Sequence, residues 1–514
     1  MIAKSRVKVY RYNPDRDSTY RFDDFDVPLT EGMTVLDALN YIYENYDSSL
    51  SYRWNCRAGQ CGSCTVMVSG KPAATCRSQM PRDGEVSIAP LLQFPVIKDL
   101  VVDLRQGISR LERTRPYVQR GKIPERPERL SQDDIEPMKE LRKCLECWGC
   151  ISACPVVAAA WHEFSGPTIM TKLARLALDR RDIEERVKVA FTDGVYSCTT
   201  CKTCVEVCPK SIDIPGKAIE KLRAYAVRTG LGPLEGQMAF LNSIANTGKS
   251  VDRTSTPLLE TVPERIDVLN PVDRVAFFTG CLMDYRLQDT GRSIINTLRR
   301  NAVEVFVPKN QSCCASPAFR TGVTDLAEKQ VKSNVEIFES LGVDKVVVGC
   351  AGCGMTLRTN FEETMRRARD EGLRFRVYDF TEYLVDELGI ERLDRSGLKP
   401  VNKTFTYHAP CHLMRGQGVK DQPIKLLEKV PGLRYVQMQE YDRCCGAGGG
   451  VRTGKRPLSM MLARRKVELI RDSGAESCVT ECPFCSIQIK DAAQQLGVNI
   501  EVVNVADLLA ESYQ

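Results

Sequence analysis

The chain has 514 residues, with 72 lysines and arginines against 66 aspartates and glutamates, for a formal net charge of +6. So mild a charge on so long a chain gives no electrostatic footprint for nucleic acid. The 43% hydrophobic and 27% charged residues suit a globular protein with three or four cores. No run approaches the ~20 apolar residues of a membrane span, and the opening MIAKSRVKVYRYNPDRD lacks a signal peptide's apolar core. With 23 cysteines, this predicts a reducing, cytoplasmic setting in which thiols hold metal and do not pair as disulfides.

Residues 1–95 open with the alternating VKVYRY, then an amphipathic helix in TVLDALNYIYENY, a cysteine loop, and strands in TVMVSG and VSIAP. That order predicts a small α+β unit. Its loop, Cys56-Arg-Ala-Gly-Gln-Cys61-Gly-Ser-Cys64 with Cys76 beyond, has the spacing of a plant-type [2Fe–2S] site. Zinc sites use two separated C-x2-C pairs instead. Gly59 and Gly62 let the loop wrap closely, so that backbone N–H groups point at the sulfurs.

Residues 96–135, with Pro116, Pro124 and Pro127 among many arginines, read as a linker, or alternatively as a docking surface for a partner. Residues 136–230 read as helical, with apolar residues at helical spacing in TIMTKLARLALDRRDIEERVKVAF. Two runs flank that stretch: Cys144/Cys147/Cys150/Cys154-Pro155 and Cys198/Cys201/Cys204/Cys208-Pro209. Each cysteine recurs 54 residues later (144 to 198, 154 to 208), as an internal duplication produces. This is the two-cluster [4Fe–4S] pattern, in which the fourth cysteine of each run serves the other cluster. One cluster therefore takes Cys144, Cys147, Cys150 and Cys208, and the other takes Cys198, Cys201, Cys204 and Cys154.

From about 270 onward, strands alternate with helices. RVAFFTGC, KVVVGC, FTYHAPC and SCVTEC are short apolar runs that each end at a cysteine. βα alternation predicts parallel sheets, with ligand sites at the carboxyl ends of the strands. Two lobes, 270–395 and 400–514, carry five cysteines each: Cys281, Cys313, Cys314, Cys350 and Cys353, then Cys411, Cys444, Cys445, Cys482 and Cys485. Offsets of 130 to 132 residues, and the echo of Arg320-Thr-Gly in Arg452-Thr-Gly, mark a second duplication. Five thiolates exceed what one cubane or one zinc needs, so a larger or irregular cluster is expected in each lobe. Cys478 is left over and reads as a buried apolar cysteine.

Residues 5–230, including CRAGQCGSC and VSIAPLLQFPVIKDLVVD, resemble the iron–sulfur subunit of succinate dehydrogenases and fumarate reductases. The resemblance implies a β-grasp [2Fe–2S] domain facing a separate FAD-binding subunit, where fumarate and succinate interconvert. Quinone-linked members usually have an apolar residue where this chain has Cys201, so a complete [4Fe–4S] third cluster is implied. Ala159 and Thr199 stand where many of those members have a quinone-binding tryptophan and histidine, which speaks against a quinone site there.

The C-terminal half resembles the cysteine-rich CCG domains, and its tandem lobes resemble the catalytic subunit of heterodisulfide reductase. That implies a non-cubane [4Fe–4S] cluster in each lobe and chemistry on the thiols coenzyme M and coenzyme B. The second lobe follows the family pattern in Cys444-Cys445-Gly-Ala-Gly-Gly-Gly, whereas the first reads Cys313-Cys314-Ala315-Ser316-Pro317. Arg320, Arg452, Lys455 and Arg456 are candidates for the coenzymes' anionic groups, or are ordinary solvated residues. His408 and His412 frame Cys411 as thiol-proton carriers or as hydrogen-bonded core residues; His162 reads as structural.

Joined, the two halves resemble the iron–sulfur subunits of the thiol-driven (CoM/CoB) fumarate reductases of methanogenic archaea. Thiols would be oxidised in the lobes, and electrons would pass through the clusters to FAD in the partner. The alternatives are a quinone-linked succinate dehydrogenase subunit whose CCG lobes dock a membrane anchor, and an electron-transfer adaptor without a substrate site.

Overall fold

The computed structural model describes residues 4–82, 84–122, 128–394 and 397–513, so Pro124 and Pro127 lie outside the described residues. The chain forms two compact units, Met1–Cys198 with Lys202–Leu222, and Thr199–Cys201 with Arg223–Gln514.

In the first unit, β1 (Lys4–Arg11), β2 (Arg21–Pro28), β3 (Thr65–Val68), β4 (Lys71–Ala74) and β5 (Glu85–Ala89) form one sheet, ordered β2-β1-β5-β3-β4. Only the β1–β5 pairing is parallel. Alternation in β1 turns Val7 and Val9 inward, against Leu39 and Ile42 of the helix Val35–Asn45. Each such fully buried aliphatic contributes about 1.5–3 kcal/mol. Thr34 and Asp37 close a reciprocal capping box at that helix's start.

The segment expected as a linker is built into this unit. It holds a hairpin, β6 (Val96–Lys98) and β7 (Val101–Val102), and the helices Arg105–Arg113 and Gln132–Lys139. Buried Asp99 anchors it by accepting from Arg11 Nε (3.1 Å) and from the backbone N–H groups of Tyr12 (3.0 Å) and Ser51 (2.9 Å). Gly107 lies so close to the Trp148 ring that a Cβ there would meet it at 2.9 Å.

The long helical stretch is broken into helices Pro167–Ala177 and Arg186–Thr192. The buried Arg186–Asp182 pair (2.9 Å) holds the break, with Arg186 also donating to the carbonyls of Thr114, Arg115 and Tyr117. The duplication is visible in the backbone. Glu146 and Trp148 (φ +54° and +62°) are matched 54 residues on by Thr200 and Lys202 (φ +56° and +60°).

The second unit contains two sheets. β8 (Arg265–Ile266), β9 (Asp273–Phe278), β10 (Val303–Phe306), β11 (Lys345–Val348) and β12 (Arg376–Asp379) are ordered β12-β11-β9-β10-β8, parallel except for β8. β13 (Lys403–Tyr407), β14 (Leu433–Tyr435), β15 (Ser477–Val479) and β16 (Glu501–Val503) form the second, all parallel, ordered β14-β13-β15-β16. One apolar core runs through both lobes, joining Val275, Phe277 and Val347 to Phe405, Tyr407 and Val479. The lobes therefore pack as one body.

Candidate iron–sulfur and thiol site

In the first unit, the Cys56 loop is built on left-handed residues, Arg57, Gly59 and Gly62. The N–H groups of Ala58 and Gln60 point at Cys56 Sγ from 3.4 and 3.3 Å and bring that thiol down to about 6. Cys56 is exposed and Cys61 half-buried, while Cys64 and Cys76 are buried. Gly62 abuts Cys147, to which a Cβ would come within 2.8 Å, so the loop packs directly against the next cysteine group. Cys144, Cys147, Cys150 and Cys208 lie near enough to act on one another's charge, the crossed set expected from the spacing. Burial pushes Cys144, Cys147 and Cys150 up. Such thiols give up their protons readily only to a metal that takes the charge, which suits this donor set to a cluster. Cys154, Cys198 and Cys204 belong to the same unit, whereas Cys201 lies in the short segment that packs with the second.

In the second unit, all ten lobe cysteines line one cavity of about 590 Å³. Cys281, Cys350, Cys411 and Cys482 each follow the carboxyl end of a central parallel strand, β9, β11, β13 and β15 respectively, as parallel-sheet geometry predicts. Within the first set, Cys313 touches Cys281 and Cys314, and Cys353 touches Cys314 and Cys350. Within the second, Cys411 touches Cys444, and Cys485 touches Cys482 and Cys445 (3.4 Å). The sets meet where Cys350 contacts Cys482. Contact with Cys313 and burial push Cys281 up, while thiol donation from Cys313 and Cys353 brings Cys314 down to about 6. These are soft, crowded, unbridged donors around open space, a fit for iron–sulfur centres with a face left for substrate.

The glycine-rich departure in the first lobe is tolerated because Ala315 takes φ +64°, the same left-handed turn that Gly446 makes at +85°. The residue types named for anion binding are less free than the sequence implied. Arg452 donates to Gln488 and pairs with Asp491 (2.9 Å), and Arg456 pairs with the same carboxylate (2.8 Å). Arg320 Nη2 donates to Asn360 (3.3 Å). Arg286, Arg320 and Arg452 all line the cavity, and among the described residues no carboxylate does; Lys455 is not among its lining residues.

His412 Nε2 donates to the Thr200 carbonyl (3.1 Å). Its ring thereby holds the segment that carries Cys201, the core hydrogen bond weighed against a proton-carrying role. Thr199 meets Cys444 Sγ at 3.5 Å, Cys201 touches the same thiol, and the Thr199 carbonyl presses on Gly448. The cysteine that completes the second set of the first duplication thus lies against the second lobe's double cysteine.

Sequence reasoning misses Arg223, which is fully buried and donates to the carbonyls of both Arg320 and Gly449 (2.9 Å for the latter). It ties the helix Ser316–Thr321 that follows the first double cysteine to the turn that follows the second. Its only sequence signal is an arginine on an otherwise apolar helix face. His162 is largely exposed beside Glu163, and Cys478 is fully buried in β15, where burial pushes it up to about 12.

Family models match along the chain: a 2Fe-2S iron–sulfur cluster binding domain over 6–109, a 4Fe-4S dicluster domain over 140–212, and a cysteine-rich domain twice, over 275–358 and 405–490. The chain is 41% identical over 511 residues to the B subunit of fumarate reductase (CoM/CoB) from Methanothermobacter marburgensis, covering 99% of each. It is 29% identical to the D subunit of dihydromethanophenazine:CoB–CoM heterodisulfide reductase from Methanosarcina barkeri, over 73% of this chain and 94% of that one. The fumarate reductase iron–sulfur subunit of Mycobacterium tuberculosis is 34% identical over 46% of this chain and 97% of its own length. A hypothetical protein from Helicobacter pylori shares the fold (TM-score 0.64, 11% identity, all of this chain and 95% of that one). Among the described residues no helix is long and apolar enough to cross a membrane. With its cluster-binding domains and its tandem cysteine-rich lobes in that order over essentially the full length of the relative, the chain belongs to the family of the fumarate reductase (CoM/CoB) B subunits.

Proposed function

We propose that this chain oxidises coenzyme M and coenzyme B to their mixed disulfide and passes the electrons to an FAD-binding subunit that reduces fumarate to succinate. The two thiols release two electrons and two protons as the S–S bond forms, and fumarate takes up two of each. The observation that carries this reading is the single cavity lined, among the described residues, by all ten lobe cysteines, three arginines and no carboxylate.

The residues divide the work. Cys56, Cys61, Cys64 and Cys76 hold a [2Fe–2S] cluster. Cys144, Cys147, Cys150 and Cys208 hold one [4Fe–4S] cluster, and Cys154, Cys198, Cys201 and Cys204 hold the other. The five cysteines of each lobe hold a non-cubane [4Fe–4S] cluster. Bound clusters supply one-electron acceptance, which lets a two-electron thiol couple feed a flavin in single steps.

Contact between Cys350 and Cys482 joins the two five-cysteine sets around one cavity, so clusters held by them would let both thiols bind within reach of one another. Arg286 and Arg320 supply cationic wall for the coenzymes' anionic groups, and Arg452 joins them with its charge partly balanced by Asp491. His412 keeps the Cys201 segment against Cys444.

The test is anaerobic addition of both thiols to the oxidised complex while the cluster spectra and succinate are followed. Both thiols together should reduce the C-terminal centres and yield succinate from fumarate. If neither thiol perturbs those centres, the reading fails.

A further inference from the structure

One buried polar side chain beside the cavity's cysteines has no part in that scheme. His408 follows β13 and is 1% exposed, and its own N–H donates to the Val479 carbonyl (2.9 Å), fixing its backbone in the sheet. Neither ring nitrogen has a hydrogen-bond partner of good geometry. A buried imidazole in that state is costly unless something completes it. The ring faces sulfur: a ring nitrogen and the Sγ atoms of Cys445 and Cys485 all lie within 4.8 Å of one another.

The duplication supplies a control within the molecule. His408 stands three residues before Cys411, and three residues before Cys281 the first lobe has Phe278. Phe278 is fully buried and packs on Phe338 at 5.7 Å between ring centres. The same point of the scaffold thus carries an N–H donor in one lobe and a phenyl ring in the other.

We propose that His408 is a positioning residue of the second-lobe centre, donating its ring N–H to a sulfur of the Cys445/Cys485 pair. The proposal rests on the reading that the second-lobe cysteines hold an iron–sulfur centre. An N–H aimed at a ligand sulfur stabilises the added electron and raises the reduction potential. The second-lobe centre is then the easier of the two to reduce. Electrons taken from thiol gather in the lobe whose Cys444 touches Thr199 and Cys201.

The complex carrying His408→Phe, and separately His408→Gln, is assayed for iron and acid-labile sulfide and titrated by EPR-monitored reduction. His408→Phe should stay loaded, and one C-terminal centre should lose about tenfold of its electron occupancy at fixed poise (about 59 mV for a one-electron couple). The other centres should not move, and His408→Gln should restore most of the loss. A loaded His408→Phe with every midpoint unchanged overturns the proposal. In the loaded, 15N-histidine-labelled complex carrying His412→Gln, which leaves His408 the one histidine beside the second-lobe cysteines, the expected result is a weak nitrogen coupling with an exchangeable proton. A strong coupling would make His408 an iron ligand, and no coupling would leave it structural; either overturns the proposal even if His408→Phe does not fold. Absence of iron from the unsubstituted second lobe would instead overturn the cluster reading beneath it.

Discussion

The two cysteine-rich lobes place five thiols each at the carboxyl ends of parallel strands, yet surround them differently. Where the first lobe has Phe278 and Leu282, the second has His408 and His412. The chain leading into the double cysteine is clamped in both. In the first lobe, Asn334 bonds Ser312 N and the Cys313 carbonyl. In the second, the buried ammonium of Lys466 donates to the carbonyls of Glu440 and Tyr441, and burial brings it down to about 8. At the end of the last strand, Asp379 of the first lobe and Asn504 of the second each cap a helix by accepting a backbone N–H two residues on. The duplicated scaffold therefore preserves where the thiols stand, while the flanking polar groups differ, the kind of difference that tunes how a bound centre holds charge.

The largest effect should come from breaking the pair of sets where they touch. Cys350→Ser and Cys482→Ser should each cut thiol-driven fumarate reduction by at least ~100-fold, beyond the 10–100-fold of outer-shell changes. Viologen-driven reduction through the same complex should persist. A variant that keeps thiol-driven activity would show that its lobe only relays electrons.

Gly446→Ala comes next. Its φ of +85° and a Cβ 2.6 Å from the Ser459 carbonyl together cost about 2–4 kcal/mol, read as a fall in denaturation midpoint. Asp379→Asn makes the first lobe's cap like the second's. Burial raises Asp379 to about 6, against about 3.9 unfolded. The folded state thus holds this proton more tightly, and the stability it contributes is full below about pH 3.9 and lost as pH rises through 6. The variant should gain up to about 3 kcal/mol at pH 7 to 8, with the gain narrowing at pH 5. A pH-independent difference in melting temperature would contradict that account.

His412→Ala should slow thiol-driven turnover about tenfold by loosening the Thr200 tie, while His412→Gln, which keeps a donor, should stay within about threefold. If His412 carries protons, both variants would fall alike and the pH–rate profile would flatten. Ala315→Gly should do least. Relief of its left-handed strain, about 1–2 kcal/mol, is offset by glycine's chain entropy of about 0.5–1 kcal/mol, so the midpoint should hardly move.

Much of the site was legible because its information is local. A short apolar run ending in cysteine can be read from residue types alone, and β9, β11, β13 and β15 lie where those runs predicted. The left-handed pairs Glu146/Trp148 and Thr200/Lys202 carry the 54-residue repeat into the backbone. Segment 96–135 reads as a linker from its prolines and arginines, most of the described arginines being exposed, whereas the structure buries Asp99, Leu100 and Val102. Arg223 escaped, and the partner of His412 stayed unread, because both donate to carbonyls roughly 100 to 225 residues distant in sequence, and a carbonyl leaves no mark on residue identity.

By itself, then, the sequence determined how the thiols are spaced within each run and, through the 54- and 130-residue repeats, that two scaffolds are each used twice. Spacing sets ligand geometry within a loop. Only the tertiary structure decided that both five-thiol sets open onto one cavity, that Cys201 lies against Cys444, and that His408 turns its ring to Cys445 and Cys485. Those relations come from a core shared by two sheets, built by packing between residues far apart in the chain, for which no local pattern codes.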